Sequence, residues 1–334
     1  MTDTESAVVP TVADVRDARK ALAGLAVETP LLESELLNEE LGFRLIVKPE
    51  VLQRSGSFKF RGAYNRISRI PEAGRAKGVV AFSSGNHGQG VAYAARMFKM
   101  PATIVMPADA PQMKVANVKA YGGTVVLYDR LKEDRTEIGR RIAAETGATL
   151  VRPFDDRFVI AGQGTIGLEI ADQMRARNAK ADVVLVPTSG GGLVSGVALA
   201  LNAESPGTQV YAVEPEGSDD TTRSLQAGEP VANEPGGSAL CDALLVPQPG
   251  EITFAINRKL LAGGFAVPDD RVLGAMAVAF RHFKIVVEPS GAVGLAVALG
   301  ERERFRGRTV VAVASGGNVD PALYMRALAG AAAG

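Results

Sequence analysis

The sequence predicts an α/β protein in which parallel sheet is wrapped by helices. Short runs rich in valine, isoleucine and threonine alternate with amphipathic segments of helical period along the chain, the pattern of strand–helix–strand units. Several runs end in small-residue turns that open the next helix, as at Ser83 to Gly88, Ser189 to Gly192 and Ser315 to Asn318. With 334 residues, 46% of them hydrophobic, the chain can bury a large core, and its length implies two domains or one large one.

Val12 to Ala23 reads as a first helix, with Gly24 placed to end it. Arg44 to Lys48 reads as a strand and Arg61 to Arg69 as a helix. The strands Gly78 to Phe82, Ala102 to Met106 and Gly123 to Tyr128 follow, separated by helices at Gly88 to Phe98 and Gln112 to Tyr121. This block can fold as a compact α/β unit, and Leu131 to Glu145 adds a highly charged helix with a solvated face. Beyond Pro153 come a helix from Gly164 to Arg177, the strand Asp182 to Pro187, the helix Val194 to Ala203 and the strand Gln209 to Val213. Glu216 to Pro249, rich in Gly, Pro and Asp, reads as loops. Asp269 to Phe283 and Ser290 to Leu299 read as helices, Thr309 to Ala314 as a strand, and Pro321 to Leu328 as a closing helix.

Composition narrows the function classes. Basic and acidic residues balance at 37 each, which argues against a nucleic-acid surface, and no stretch is long and apolar enough to span a bilayer. Met1 to Val9 carries Asp3 and Glu5 and lacks the basic-then-apolar pattern of a signal peptide, so a cytoplasmic protein is expected. Cys241 is the single cysteine, which excludes an intramolecular disulfide and a cysteine-rich metal site. Two histidines, His87 and His282, give poor support for a multi-histidine metal centre or a serine–histidine triad.

The chemistry centres on Ser55-Gly56-Ser57-Phe58-Lys59-Phe60-Arg61-Gly62-Ala63. Aromatics on both sides strip water from Lys59, and burial disfavours a charged amine, so its pKa falls toward the range where a free amine attacks carbonyls. A lysine snorkelling past core phenylalanines is the plain alternative. Ser189-Gly190-Gly191-Gly192 stands between a strand and a helix, where backbone N–H groups and the helix dipole favour an anion such as phosphate. A dinucleotide site competes, because Glu214 ends the next strand; however, Gly190, Gly192 and Gly196 miss the G-x-G-x-x-G spacing by one residue. Ser83-Ser84-Gly85-Asn86-His87-Gly88 offers donors for a carboxylate at a helix N-terminus, with His87 read as a positioning or packing residue. Ser315-Gly316-Gly317-Asn318 follows a further strand, so these loops and Lys59 can meet beyond the carboxyl ends of the strands.

Taken in order with Ala161 to Ile166 and Glu288 to Ala292, these motifs resemble the fold-type II pyridoxal phosphate enzymes, and most closely the serine/threonine dehydratase and serine racemase group. The resemblance covers the chain from about Val12 onward. It implies a tryptophan synthase beta-like fold of two open twisted α/β domains with the cofactor between them. Residues 1–76 with 154–334 would form the large cofactor-binding domain, and 77–153 the small substrate-binding domain. Lys59 would hold pyridoxal 5'-phosphate as a Schiff base, Phe58 would pack by its ring, and Asn86 would bond its phenolic oxygen. Ser189, Gly190, Gly191, Gly192 and Leu193 would cradle the phosphate, with Glu288 beside the cofactor and Ser315 at the pyridine nitrogen. Ser83, Ser84, Gly85, Asn86 and His87 would grip the substrate carboxylate, and Ser84 would serve as a second acid/base facing Lys59. Glu214, the carbonyl of Ser218 and Asp220 match a loop binding Mg or Ca, with a solvated acidic turn as the alternative.

The implied activity is a carbon–oxygen lyase of the ammonia-releasing type, taking L-serine or L-threonine to a 2-oxo acid. Arg135 stands where serine racemases place an arginine near a distal carboxylate, so 3-hydroxyaspartate is a second candidate substrate, and serine racemisation a second activity. A non-catalytic cofactor-bearing scaffold is the reading from another class. A homodimer is expected, with no nucleic-acid or membrane partner. Departures from the group are Ser189, where a glycine is usual, and Cys241-Asp242-Ala243, where Ala-Asp-Gly is usual. The chain also leaves no room for the regulatory domain of biosynthetic threonine dehydratases.

Overall fold

The computed structural model describes residues 8–83, 85–234, 236–238 and 240–330. Helix α1 (Val12–Leu22) starts at a reciprocal cap in which Asp14 takes the Thr11 amide at 2.8 Å. Strand β1 (Leu32–Glu33), helix α2 (Glu35–Leu41), strand β2 (Arg44–Pro49) and helix α3 (Lys59–Ser68) follow. Next come β3 (Val79–Phe82), α4 (Asn86–Met97), β4 (Ala102–Pro107), α5 (Gln112–Ala120), β5 (Thr124–Tyr128), α6 (Arg135–Thr146) and β6 (Thr149–Leu150). The chain then runs through α7 (Arg157–Ala176), β7 (Val183–Pro187), α8 (Gly192–Glu204), β8 (Gln209–Pro215), α9 (Asp220–Ala227), α10 (Glu251–Leu260) and β9 (Gly263–Val267). It closes with α11 (Asp269–Val278), α12 (Pro289–Gly300), β10 (Thr309–Ala314) and α13 (Pro321–Gly330).

The strands form two sheets. The larger has the order β1-β2-β10-β7-β8-β9 and is parallel except for β1, while the smaller, β5-β4-β3-β6, is parallel throughout. Apolar alternation explains why the larger sheet is covered on both faces. Leu45, Val183, Leu185, Val310 and Ala312 point into one core with α11 and α12, and Ile46, Val184, Val186, Val311 and Val313 into another with α7 and α8. On the smaller sheet Val79, Ala81, Ile104 and Met106 share a core with Val91 of α4 and with Phe60, Tyr64 and Ile67 of α3. Helix α3 therefore packs with the smaller sheet although it precedes residue 77.

Several elements differ from expectation for identifiable reasons. Helix α6 begins at Arg135 rather than Leu131, because Asp134 caps it by accepting the Thr136 amide at 2.7 Å. Helix α7 begins at Arg157, a full two turns before Gly164, capped by Asp156. Its glycines are contact points rather than turn residues. A Cβ at Gly162 would lie 2.6 Å from the Gly62 Cα, and one at Gly164 would lie 2.8 Å from the Gly196 carbonyl, so α3 and α8 approach α7 backbone to backbone. The stretch read as loops contains α9, whereas α10 and the edge strand β9 occupy residues for which no element was expected. Helix α11 stops at Val278 and passes through a wider π turn at Ala279–Phe283, ending on Lys284 in the left-handed region at φ 59°.

Candidate active site

The carboxyl ends of β10, β7 and β3 open on one cleft between the two sheets. Phe58, Lys59, Ser83, Gly85, Asn86, His87, Arg135, Ser189, Gly190, Gly191, Gly192, Leu193, Glu288 and Ser315 all line it. Ser84 lies outside the described residues.

Lys59 is the first residue of α3, where an N–H needs no helical partner, and its amine donates to the Pro153 carbonyl at 2.9 Å. The same amine lies 5.1 Å from the centre of the Phe58 ring. Burial presses its pKa down from 10.5 to about 8, as the flanking aromatics implied. The start of α3 is tied to the larger sheet, since the Phe58 amide donates to the Ser315 carbonyl at 3.1 Å.

At the end of β7 the turn is shaped by what surrounds it. A Cβ at Gly190 would sit 2.4 Å from the Phe154 ring, and one at Gly191, whose φ is 91°, would sit 2.8 Å from Thr253. The first N–H groups of α8 have no partner within the helix, so the turn presents donors at the positive end of a helix dipole. Ser189 contributes its hydroxyl elsewhere, accepting the Val246 amide at 3.3 Å.

Around Asn86 runs a chain of polar contacts. Its amide donates to Glu288, and its oxygen accepts from Asn318 at 2.8 Å. Glu288 is 2% exposed, and burial raises its pKa above the ordinary carboxylate value. Its second oxygen lies 3.4 Å from Lys114. His87 donates from Nε2 to the Val151 carbonyl at 2.9 Å, which fixes the tautomer. Burial, then the nearby Lys59 charge, hold its pKa near 3, so the ring is neutral and unsuited to carry a proton. Arg135 opens α6 at the mouth, 5.8 Å from the centre of the Phe82 ring, and among the described residues no carboxylate pairs with it.

Glu214, Ser218 and Asp220 of the acidic loop do not line the cleft, although the neighbouring Thr221 hydroxyl reaches the Ser189 carbonyl at 3.5 Å. Glu214 is fully buried and accepts the Thr221 amide at 2.9 Å, the Thr222 amide at 2.8 Å and the Thr222 hydroxyl at 2.7 Å, thereby capping α9. Burial and then the neighbouring Asp220 push its pKa up to about 8. One oxygen of Asp220 accepts from Asn233 at 2.6 Å, while the other is buried without a partner, and burial raises this pKa to about 6. Ser218, 3% exposed, lies between them in sequence. Among the described residues no cluster of three or more His, Cys, Asp or Glu side chains forms.

Two sets of residues at the site escaped sequence reasoning. Lys114, on a helix without a pronounced apolar face, carries no local sign of its role, yet it is 3% exposed and pairs with Asp242 at 2.9 Å. The crossover Pro153 to Asp156 reaches Lys59, the glycine turn and α10, and only its paired acids after Pro-Phe hinted at caps.

Comparison with known proteins supports this architecture. The sequence profile described as "Pyridoxal-phosphate dependent enzyme" matches residues 22–316. An L-threo-3-hydroxyaspartate ammonia-lyase of Saccharomyces cerevisiae is 42% identical over 324 residues, 97% of this chain and 98% of that protein. One from Pseudomonas sp is 44% identical over 317 residues, 95% of this chain and 98% of its own. Among solved structures, a threonine deaminase from T.th. superposes with a TM-score of 0.88 at 43% identity, covering 93% of this chain and 99% of that one. Maize serine racemase gives 0.89 at 36% identity, covering 97% and 98%.

Proposed function

The chain belongs to the pyridoxal-phosphate dependent enzymes, with a fold-type II architecture, and we propose that within this family it is an ammonia-lyase for β-hydroxy amino acids, with 3-hydroxyaspartate as its preferred substrate. The observation that carries the substrate is Arg135, a cation at the cleft mouth with no carboxylate partner among the described residues, placed to take a second carboxylate. The two relatives with that activity are alike over almost their whole length. Serine and threonine lack the group that Arg135 would bind, so they rank behind.

The cleft fits the cofactor. A desolvated amine stands ready for its aldehyde, Phe58 offers an apolar wall, and the turn from Ser189 to Leu193 offers donors where any side chain at Gly190 or Gly191 would collide. Asn86, Glu288 and Ser315 would face its ring. When bound, pyridoxal phosphate supplies an electron sink that makes the α-proton of an amino acid labile.

Lys59 Nζ then accepts that proton, which its lowered pKa allows near neutral pH, and the Pro153 carbonyl is positioned to hold the resulting ammonium. The loop from Ser83 through Gly85 to His87 would hold the α-carboxylate through the Ser83 hydroxyl and the N–H groups of Asn86 and His87, with His87 kept neutral by burial and oriented by the Val151 carbonyl. Loss of the β-hydroxyl as water leaves an enamine, and its hydrolysis, which consumes one water in turn, releases a 2-oxo acid and ammonia. Ser84 would supply a proton from the opposite face, giving some racemisation. Appearance of the opposite enantiomer, lost in Ser84→Ala, tests that role.

Glu214, the Ser218 carbonyl and Asp220 would hold Mg or Ca. The support is a pair of buried carboxylates, in which Asp220 adds to the burial that raises the proton affinity of Glu214, and an orphaned Asp220 oxygen, which a cation would satisfy. Residues 77–153 as a small domain, a cytoplasmic location and a homodimer complete the proposal. The exposed apolar side chains Leu52, Phe280 and Val286 offer surface for a second copy, and light scattering tests it. Ammonia release across the stereoisomers of 3-hydroxyaspartate, serine and threonine tests the central reading; a kcat/KM for serine above that for every 3-hydroxyaspartate isomer would refute the substrate.

A further inference from the structure

Four consecutive residues at the crossover from β6 to α7 each hold a different neighbour. The Pro153 carbonyl takes the Lys59 amine at 2.9 Å. The Phe154 ring fills the space that a side chain at Gly190 would need, only 2.4 Å from its ideal Cβ. Asp155 accepts the Ile252 amide at 2.8 Å and the Thr253 amide at 3.2 Å. Asp156 caps α7 and pairs with Arg66 at 3.1 Å.

Asp155 stands out because its backbone is left-handed, with φ 53°, a region that aspartate and asparagine enter more readily than other residues bearing side chains. What that conformation achieves is visible at α10. This helix begins at Gly250, which has no side chain to cap it, and a Cβ there would lie 2.3 Å from the Asp155 carboxylate oxygen. The missing cap is thus delivered by Asp155 from 97 positions away in sequence.

Helix α10 passes the constraint onward. The Thr253 hydroxyl donates to the Gly190 carbonyl at 2.7 Å, and the Gly250 amide reaches the same carbonyl at 3.4 Å. In a planar trans peptide the C=O and the following N–H point in opposite directions. Drawing the Gly190 carbonyl onto α10 therefore turns the Gly191 N–H away from α10, and Gly191 lines the cleft.

We propose that Asp155 is a positioning residue for the anion-binding turn: by capping α10 it fixes Thr253, which in turn aims the Gly191 N–H at the cofactor phosphate. The proposal rests on the reading that the turn after β7 takes that phosphate. Its signature is selective, because a loosened turn weakens the grip on phosphate and leaves the contacts of the pyridine ring and Lys59 alone.

Equilibrium dialysis of the full-length protein, freed of cofactor, against pyridoxal 5'-phosphate and against pyridoxal, which lacks the phosphate, reads this selectivity. Asp155→Gly keeps the left-handed backbone and removes the cap; Asp155→Asn keeps an acceptor oxygen in place. From the usual worth of a helix cap, the preference for the phosphorylated ligand should fall roughly threefold to tenfold in Asp155→Gly, with pyridoxal affinity unchanged. Asp155→Asn should restore most of it. An unchanged preference in Asp155→Gly, an equal loss for both ligands, or no rescue by asparagine overturns the positioning role. A wild-type protein that binds both ligands equally refutes the phosphate assignment of the turn itself.

Discussion

The ammonium of Lys114 lies 2.9 Å from the Asp242 carboxylate and 3.4 Å from that of Glu288, so one buried cation on α5 joins the smaller sheet to two elements of the larger. Its stem crosses Gly85, where a Cβ would meet the Lys114 Cδ at 2.7 Å. Burial alone would lower the lysine pKa, but Glu288 and Asp242 together hold it above the usual value. Glu288 is itself pushed upward by burial, and the Lys114 charge opposes that rise.

Lys114→Met should therefore lower both melting temperature and kcat/KM, the latter by about tenfold or more, since removing one partner leaves a buried carboxylate uncompensated. Lys114→Arg keeps the charge and should recover much of the activity. Steady-state ammonia release and thermal melting measure both. A methionine variant with wild-type kinetics would reduce the pair to packing.

Lys59 predicts a pH dependence of known sign. Only the free amine attacks an aldehyde, so cofactor-free protein should combine with pyridoxal phosphate at a rate that rises with pH to half its maximum near 8 rather than near 10.5. Between those values the unfolded chain binds more protons than the folded one, so this residue makes stability increase with pH across the window and adds no slope below it. Stopped-flow absorbance follows the first effect and thermal melting the second. Lys59→Ala should fold, lose turnover and lose the visible band shift on adding cofactor; retained wild-type activity would rule out the lysine chemistry.

The acidic loop predicts a response to chelation. A cation that binds only the folded protein stabilises it by mass action, about 2.7 kcal/mol at a hundred times its Kd. Chelator should lower the melting temperature, Mg or Ca should restore it, and Asp220→Asn should remove the response because the orphaned oxygen is the ligand lost. Unchanged melting in chelator would return Glu214 to its visible task of capping α9.

How much of this was legible in sequence varied with the range of the contact. Lys59, the turn at Ser189 to Gly192 and the strand Thr309 to Ala314 carry local signatures, a desolvated amine between aromatics, glycines at a helix start and a β-branched run, and each stands where it was read. Gly162 and Gly164 were misleading, because a glycine chosen for close helix approach looks the same as one that breaks a helix. Strand β9 was invisible for a related reason: Gly264 leaves room for Thr222, and the run that remains after Gly263-Gly264 is too short to show alternation. Lys114 and Asp155 act on residues more than ninety positions away, so no local pattern marks them.

The last prediction concerns Arg135, because it separates 3-hydroxyaspartate from serine in a single enzyme. Arg135 is the first residue of α6, whose N-terminus Asp134 caps, and its guanidinium rests 5.8 Å from the centre of the Phe82 ring, which itself lines the cleft. Nearby, Arg130 pairs with Asp109 at 2.8 Å and does not line the cleft. If Arg135 binds the distal carboxylate, it makes a charge-assisted contact worth about 1.5–3 kcal/mol, roughly tenfold to a hundredfold in kcat/KM. Serine has nothing to offer that contact. Arg135→Gln should thus lower kcat/KM for 3-hydroxyaspartate by that factor, chiefly through KM, while leaving serine within about twofold, and Arg135→Lys should recover part of the loss without bidentate geometry. Ammonia release under matched conditions gives the ratio of the two substrates directly, free of differences in cofactor loading. An equal loss for both would show that Arg135 supports α6 rather than the substrate, and the preference for a dicarboxylate would then have to reside elsewhere in the cleft.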